Sequence, residues 1–322
     1  MKQPTLASAG FERYRKATRR SEFLAMMDKV VPWSALCALI EPHYPKATGA
    51  GRPPVGLERM LRIHFLQQWF NLSDPGVEEA LYESLSMRGF AGIDLGNEPV
   101  PDETTICKFR HLLERERLGK AIFAAVNQHL QASGLKVATG TIVDATLIAA
   151  PSSTKNQDRE RDPEMKQTKK GNQWYFGMKT HIGTDSRTRL IHSVAVTSAN
   201  VHDSQVLPQL LHGRETRVWG DSAYAGQRKA IRDAAPRAKD FTQHRRYRNR
   251  PLTELQVEQN RTKSSVRAKV EHAFGVIKRI FGFEKVRYRG LAKNGNRVQV
   301  LCALANVYLA RRFLWQQQAS CA

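Results

Sequence analysis

The sequence predicts an α/β protein whose front half is all helical, and three observations carry that expectation. From residue 55 to 133 apolar residues recur at helical spacing, and no stretch alternates like a strand. From about residue 137 the pattern changes to β-branched runs separated by shorter helical stretches. Their order is strand, hairpin strands, helix, strand, helix, strand, helices, which suits a mixed sheet covered by helices. A chain of 322 residues is long enough for a main domain and a smaller partner.

Residues 1–20 carry Arg13, Arg15, Lys16, Arg19 and Arg20 and read as a basic arm. A helical domain is expected over 21–134. Its first part, 21–43, reads as two short helices broken at Pro32, with Phe23, Leu24, Met27 and Val30, then Trp33, Leu36, Leu39 and Ile40 as apolar stripes. Pro42, Pro45 and Gly49-Ala50-Gly51-Arg52-Pro53-Pro54 form a linker. Leu57, Leu61, Phe65 and Trp69 recur every four residues on the next helix. Ser73-Asp74-Pro75 reads as a helix start with proline at the first position, and Asp102 opens another. A last helix over about 117–133 ends at Gly134, which suits a left-handed cap.

The second domain is expected over 135–315, leaving 316–322 as a tail. Thr139–Ile148 and Trp174–Ile182 are strands, and Leu190–Thr197 closes a hairpin through the turn at Asp185–Thr188. Between the first two strands, 151–173 is polar with no apolar period and reads as a surface insertion, disordered or ordered only by DNA. His202–Leu211 is a helix, Thr216–Trp219 a short buried strand, Gly226–Ala234 a helix and Lys239–Thr242 another strand. Two long helices, 264–281 and about 297–314, complete the chain.

The balance of 51 Lys and Arg against 30 Asp and Glu gives a net charge of +21, which attracts polyanions. A membrane partner is not expected: no run approaches the roughly 18 apolar residues of a spanning helix. The N-terminus also lacks the apolar core of a signal peptide. Cys37, Cys107, Cys302 and Cys321 form no C-x-x-C pair, so reduced thiols in a cytoplasm are expected. DNA, in a cytoplasmic, nucleoid-associated setting, is the expected partner.

Three acids carry the chemistry. Asp144 ends the β-branched run Gly-Thr-Ile-Val, Asp221 follows Val218-Trp219-Gly220, and Glu271 lies on the basic helix Val266-Arg267-Ala268-Lys269-Val270-Glu271-His272. Singly, each has an ordinary reading: a strand-end charge, a turn cap and a solvated helix face. Together, two strand-end carboxylates and a helical third suit a two-metal phosphodiester site, in which divalent ions activate the attacking oxygen and stabilise the leaving one. Mg²⁺ prefers such hard oxygen ligands and keeps several waters. On one helix Arg267, Glu271 and Lys278 share a polar stripe, either as an i,i+4 ion pair or as a metal ligand flanked by phosphate-holding cations.

The residues then resemble bacterial insertion-sequence transposases of the DDE type, in the insertion-sequence-four/five superfamily and most closely the "five" group. The resemblance runs from Phe23 to the final helix. It rests on Leu72-Ser73-Asp74-Pro75, Pro101-Asp102-Glu103-Thr104-Thr105, Val143-Asp144-Ala145-Thr146, Ala150-Pro151-Ser152-Ser153-Thr154-Lys155-Asn156, Arg161-Asp162-Pro163-Glu164-Met165 and Gly171-Asn172-Gln173-Trp174-Tyr175-Phe176-Gly177-Met178-Lys179. The helix motif Y-x2-R-x3-E-x6-K is matched by Arg267, Glu271 and Lys278, with Ser264 at its tyrosine position. The resemblance implies an RNase H-like catalytic core with Asp144, Asp221 and Glu271 holding two Mg²⁺ ions, Mn²⁺ substituting. It also implies cleavage at the terminal inverted repeats of the mobile DNA, transfer into target DNA, and a homodimer or larger assembly. It gives the insertion at 151–173 a role near DNA or in dimer contacts. An RNase H-like nuclease without strand transfer, or a DNA-binding derivative, are the alternatives.

Other candidates are less specific. Residues 242–312 hold 17 Lys and Arg against 4 Asp and Glu, and Arg245, Arg246 and Arg248 interleave with Tyr247, a pattern that neutralises phosphate and stacks on bases or forms a solvated loop. Arg52 is a candidate for a narrow minor groove, against the plainer reading as linker. Lys179 and His181 alternate on one strand face that offers both to DNA. Asp203 caps a helix or supports a metal site from behind, with His181 a further support. Tyr224 and Trp174 are candidates for stacking on an extruded base, and Trp219 for packing.

Overall fold

The computed structural model describes residues 16–46, 53–135, 139–157 and 159–321. Among the described residues, seven α-helices form the first part: α1 (Arg19–Val30), α2 (Trp33–Ile40), α3 (Leu57–Trp69), α4 (Asp74–Glu83), α5 (Leu85–Ala91), α6 (Glu103–Arg115) and α7 (Leu118–Ala132). The break between α1 and α2 falls at Pro32, as proline's missing N–H requires. Ser73, not Asp74, caps α4 by accepting from the Gly76 N–H at 3.1 Å, so Pro75 sits one position further into the helix than expected. Asp74 is thereby free to pair with the buried Arg110 guanidinium at 2.7 Å. Helix α5 carries too short an apolar pattern to read from sequence, yet Ser84 caps its start and Gly92, at φ 68°, its end. Gly134 takes φ +90° after α7, the left-handed conformation expected there. Trp33, Phe65, Trp69 and Phe90 meet in tilted and edge-on contacts inside this bundle.

The second part is built on β1 (Gly140–Ala149), β2 (Lys166–Lys170), β3 (Gln173–Asp185), β4 (Ile191–Ser198), β5 (Arg217–Trp219) and β6 (Lys239–Asp240). The sheet runs β4-β3-β1-β5-β6, with β3 antiparallel to both β1 and β4, and β5 and β6 parallel to β1. That order and those directions are an RNase H-like sheet. Strand β2 forms a tight hairpin with the start of β3. The helix expected over 202–211 is instead α8 (Asp203–Val206) and a 3₁₀ turn, Leu207–Leu210, because Pro208 donates no N–H. Helix α9 is Arg228–Ala234.

Two expectations fail here. The stretch 151–173 is not an unstructured excursion: it contains β2, and Met165 is buried. Asp162 accepts from the Gly290 N–H at 2.6 Å and Glu164 from the Leu291 N–H, so both carboxylates cap the helix that begins at Leu291. Nor is 264–281 one helix. It is divided into α10 (Glu254–Arg267), α11 (Val270–Gly275) and a π turn, Val276–Ile280. The break is anchored on its two sides, by Arg267 on Asp144 at 2.8 Å and by Lys269 on the Ser186 carbonyl at 2.9 Å.

The last helix, α12 (Leu291–Cys321), joins the two parts. Val298, Val300, Leu301, Cys302, Leu304 and Val307 are all buried in one core shared with the bundle and the sheet. Buried Asn306 ties α12 to its neighbours, accepting from the Ile191 N–H at 2.8 Å and donating to the Ile191 carbonyl and to Asn127 at 2.7 Å each. Among the described residues no single helix is long and apolar enough to cross a membrane; the only candidate is a pair, α1 with the helical stretch Trp33–His43, bent by 69°.

Candidate active site

Parallel pairing of β1 with β5 sets Ile142 opposite Trp219. Two residues further along each strand's path lie Asp144 and Asp221, and both reach one cleft, near enough for the charge of Asp221 to raise the Asp144 pKa. Strand β5 has ended by then, and Asp221 leads into a 3₁₀ turn that it caps by accepting from the Ala223 N–H at 2.8 Å. Asp144 lies in the middle of β1, which runs on to Ala149, and Asp221 just past the end of β5, so the two carboxylates stand by the point where the shorter parallel strand stops. Glu271 arrives from the first turn of α11, and its side chain is exposed. All three acids line one cleft of about 640 Å³.

Asp144 is the most enclosed of them, 9% exposed. Its Oδ1 accepts from the Ala145 N–H and its Oδ2 from Arg267 Nη1, each at 2.8 Å. Burial pushes its carboxyl up from 3.8 to about 6; Arg267 and the Ala145 N–H oppose the shift, and the nearby charges of Asp221 and Glu271 add to it. Near the acids lies Tyr224, fully buried, its hydroxyl without a hydrogen-bond partner among the described residues. Its pKa is raised first by burial, then by Asp203, Asp144 and Asp221. It therefore cannot be the exposed stacking residue the sequence suggested, whereas Trp174 is 64% exposed.

Cations surround the acids. Lys169, Lys170, Lys179, Arg267, Lys278 and Arg279 line the same cleft, with Thr146, Thr168 and Glu284 between them. Burial lowers the Lys278 pKa; Glu284 and Glu271 oppose the shift, while Lys170 adds to it. Lys179 donates to Asp203 and to the Val201 carbonyl, both at 2.9 Å. Asp203 is not the cap of α8: His202 Nδ1 accepts from the Ser204 N–H, and Asp203 is turned into the cleft to hold Lys179. His181 is not offered to DNA either. It is fully buried, bonds to Thr197 at 2.8 Å and lies 3.9 Å from Asp203, and burial lowers its pKa to about 4.

Arg246 and Arg248 are exposed on the loop after β6, and Arg245 stands beside them. Arg245 lines a second hollow with His244, Tyr247, Arg250 and Lys263, separate from the cleft of the acids. Trp219 packs as expected, stacked on Phe241 at 5.6 Å. Arg52 lies outside the described residues. The cleft residues that sequence reading missed are those of β2, Thr168, Lys169 and Lys170, and Glu284 beyond the π turn. The motif stretches flanking β2 were the available signal. Glu284 had none: its backbone carbonyl joins the sheet by accepting from the Ala149 N–H at 3.0 Å, across a long sequence gap.

The donor set suits a hard divalent cation: the cleft is lined by the carboxylates of Asp144, Asp221 and Glu271, with those of Asp203 and Glu284, and by no sulfur or imidazole. Asp144 already draws a guanidinium onto its Oδ2, as a buried carboxylate in want of positive charge does. The acids do not stand as a closed cage: among the described residues no three His, Cys, Asp or Glu side chains are grouped tightly enough to hold an ion as they lie.

Residues 136–307 match the family model described as Transposase DDE domain, and residues 12–112 match one described as Transposase domain (DUF772). Among solved structures the chain is similar to the piggyBac transposase in a synaptic complex with hairpin DNA, determined by cryo-EM. The TM-score is 0.46 at 8% identity, over 96% of this chain and 78% of that one.

Proposed function

Since the chain belongs to the Transposase DDE domain family, we propose that it cuts DNA at the ends of its own insertion sequence and transfers the freed strands into target DNA. The observation that supports this reading is a single cleft lined by Asp144, Asp221 and Glu271 together with six cations. A phosphodiester is an anion, and a cleft with acids at its centre and cations at its walls can hold the flanking phosphates while leaving the reacting one among oxygen ligands.

Asp144, Asp221 and Glu271 are the residues that would hold two Mg²⁺ ions, or Mn²⁺ in their place, whose chemistry is to activate the attacking oxygen and stabilise the leaving one. The protein's own part is positioning. Lys179, fixed by Asp203, Lys278 and Arg267 hold phosphates around the scissile bond, and Lys169 and Lys170 extend the grip along β2. Arg245, Arg246 and Arg248, on their separate surface, hold duplex further out. The reaction is two in-line displacements at phosphorus. Water first frees a 3′-hydroxyl at the end of the mobile DNA, and that hydroxyl then attacks a target phosphodiester. Two copies of the chain pair two ends, within the cytoplasm at the nucleoid.

The test uses duplexes carrying the DNA that flanks the gene. The wild type should nick them in Mg²⁺ and join the products to a plasmid, and EDTA should stop both. Asp144→Asn should still bind the same duplexes and leave them uncut. Cutting by that variant at the wild-type rate would remove Asp144 from the reaction. Cutting by wild type without joining would make the protein a nuclease rather than a transposase.

A further inference from the structure

Arg267 departs furthest from its sequence context. On a continuous helix it would face Glu271; instead it closes α10 and reaches across the cleft to Asp144 Oδ2 at 2.8 Å. Of the three acids only Asp144 has an ion-pair partner within 4.0 Å among the described residues, and that partner is Arg267. The guanidinium is only partly committed, since its Nε is buried and has no acceptor among the described residues. Between Arg267 and Glu271 the helix is interrupted, and Lys269 holds the intervening turn to the Ser186 carbonyl at 2.9 Å.

One oxygen of Asp144 is thus taken by the backbone and the other by a side-chain cation. A divalent ion at Asp144 would meet that cation at close range, and like charges so close repel strongly in a partly buried site. We infer that Arg267 is the resident counter-ion of Asp144, that a divalent cation displaces it, and that the displaced guanidinium is the group that then grips a DNA phosphate. Cation entry and phosphate grip are one exchange, which makes each favour the other. The inference rests on the reading of Asp144 as a metal ligand.

Mn²⁺ binding, followed by electron paramagnetic resonance on the full chain without DNA, tests it directly. Arg267→Ala should bind Mn²⁺ about tenfold more tightly than wild type, within the usual range of coupling between two ligands of one site. Arg267→Lys, which keeps a cation, should stay near the wild-type affinity. Equal or weaker Mn²⁺ binding by Arg267→Ala overturns the exchange. Asp144→Asn separates the two levels: if it leaves Mn²⁺ binding unchanged, the metal-ligand reading itself fails. A second measurement holds if Arg267→Ala does not fold. A 3′-blocked duplex should tighten Mn²⁺ binding by the wild type, and Arg267→Gln should show less of that tightening; an equal effect in both overturns the proposal.

Discussion

Asp144, the carboxylate proposed to hold metal, carries a stability cost. Its carboxyl is pushed up from 3.8 to about 6, chiefly by burial. Between those values the folded chain binds more protons than the unfolded one, so stability falls as pH rises through that window. Asp144→Asn removes the titrating group. At pH 8 the variant should therefore be more stable than wild type by on the order of 2 kcal/mol, a gain that shrinks toward pH 4. Urea midpoints at pH 4.5 and pH 8 check this, and an equal difference at both would contradict it. At this scale the sequence was informative about Trp219, whose packing follows from local strand alternation, whereas Asp144, expected at a strand end, lies in the middle of β1. It misled at Tyr224 as a stacking residue, at His181 as a group offered to DNA and at Asp203 as a helix cap. His181 and Asp203 took their places from partners more than 15 residues away, Thr197 for the one and Lys179 for the other, which no local pattern displays. Tyr224 is covered by a core drawn from several elements, among them Val143 and Val218.

Elements were legible where one periodicity governed them and illegible where a distant partner decided. The strands β1, β3 and β4 and most helices of the first part follow from alternation, helical spacing and caps. The hairpin at β2 does not, because what orders it is the capping of α12 by Asp162 and Glu164, more than 120 residues ahead in sequence. Removing both carboxylates, in Asp162→Ala with Glu164→Ala, should loosen β2 and speed tryptic cleavage after Lys166, Lys169 and Lys170, whose side chains are already exposed. The loss in global stability should be about 1–2 kcal/mol, as for other N-terminal caps. Cleavage in this segment no faster than in wild type would mean that β2 holds its place without the clamp. The broken helix at Arg267 belongs to the same class of miss. The Y-x2-R-x3-E-x6-K spacing looks like one polar stripe on one helix, but α10 ends at Arg267, which pairs with Asp144, and Glu271 and Lys278 follow on α11 and the π turn.

For the molecule as a whole, a net charge of +21 makes electrostatic attraction dominate any encounter with DNA. The loop arginines stand apart from the acids, so they should affect grip without affecting chemistry. Arg245→Ala, Arg246→Ala and Arg248→Ala together should weaken duplex binding and reduce the slope of log affinity against log salt by about 3. Single-turnover cutting at saturating protein should stay unchanged. A slope equal to the wild type's would remove that loop from the DNA path. The central claim is that acids from β1, the end of β5 and α11 act as one unit on one phosphodiester. Single-turnover cleavage of flanking-end duplexes in Mg²⁺ by Asp144→Asn, Asp221→Asn, Glu271→Gln and the triple variant tests it most directly. Groups that act as a unit are non-additive, so each single change should cost at least about a thousandfold and the triple change little more. Losses that multiply across the three, or any single variant within about tenfold of the wild type, would contradict it.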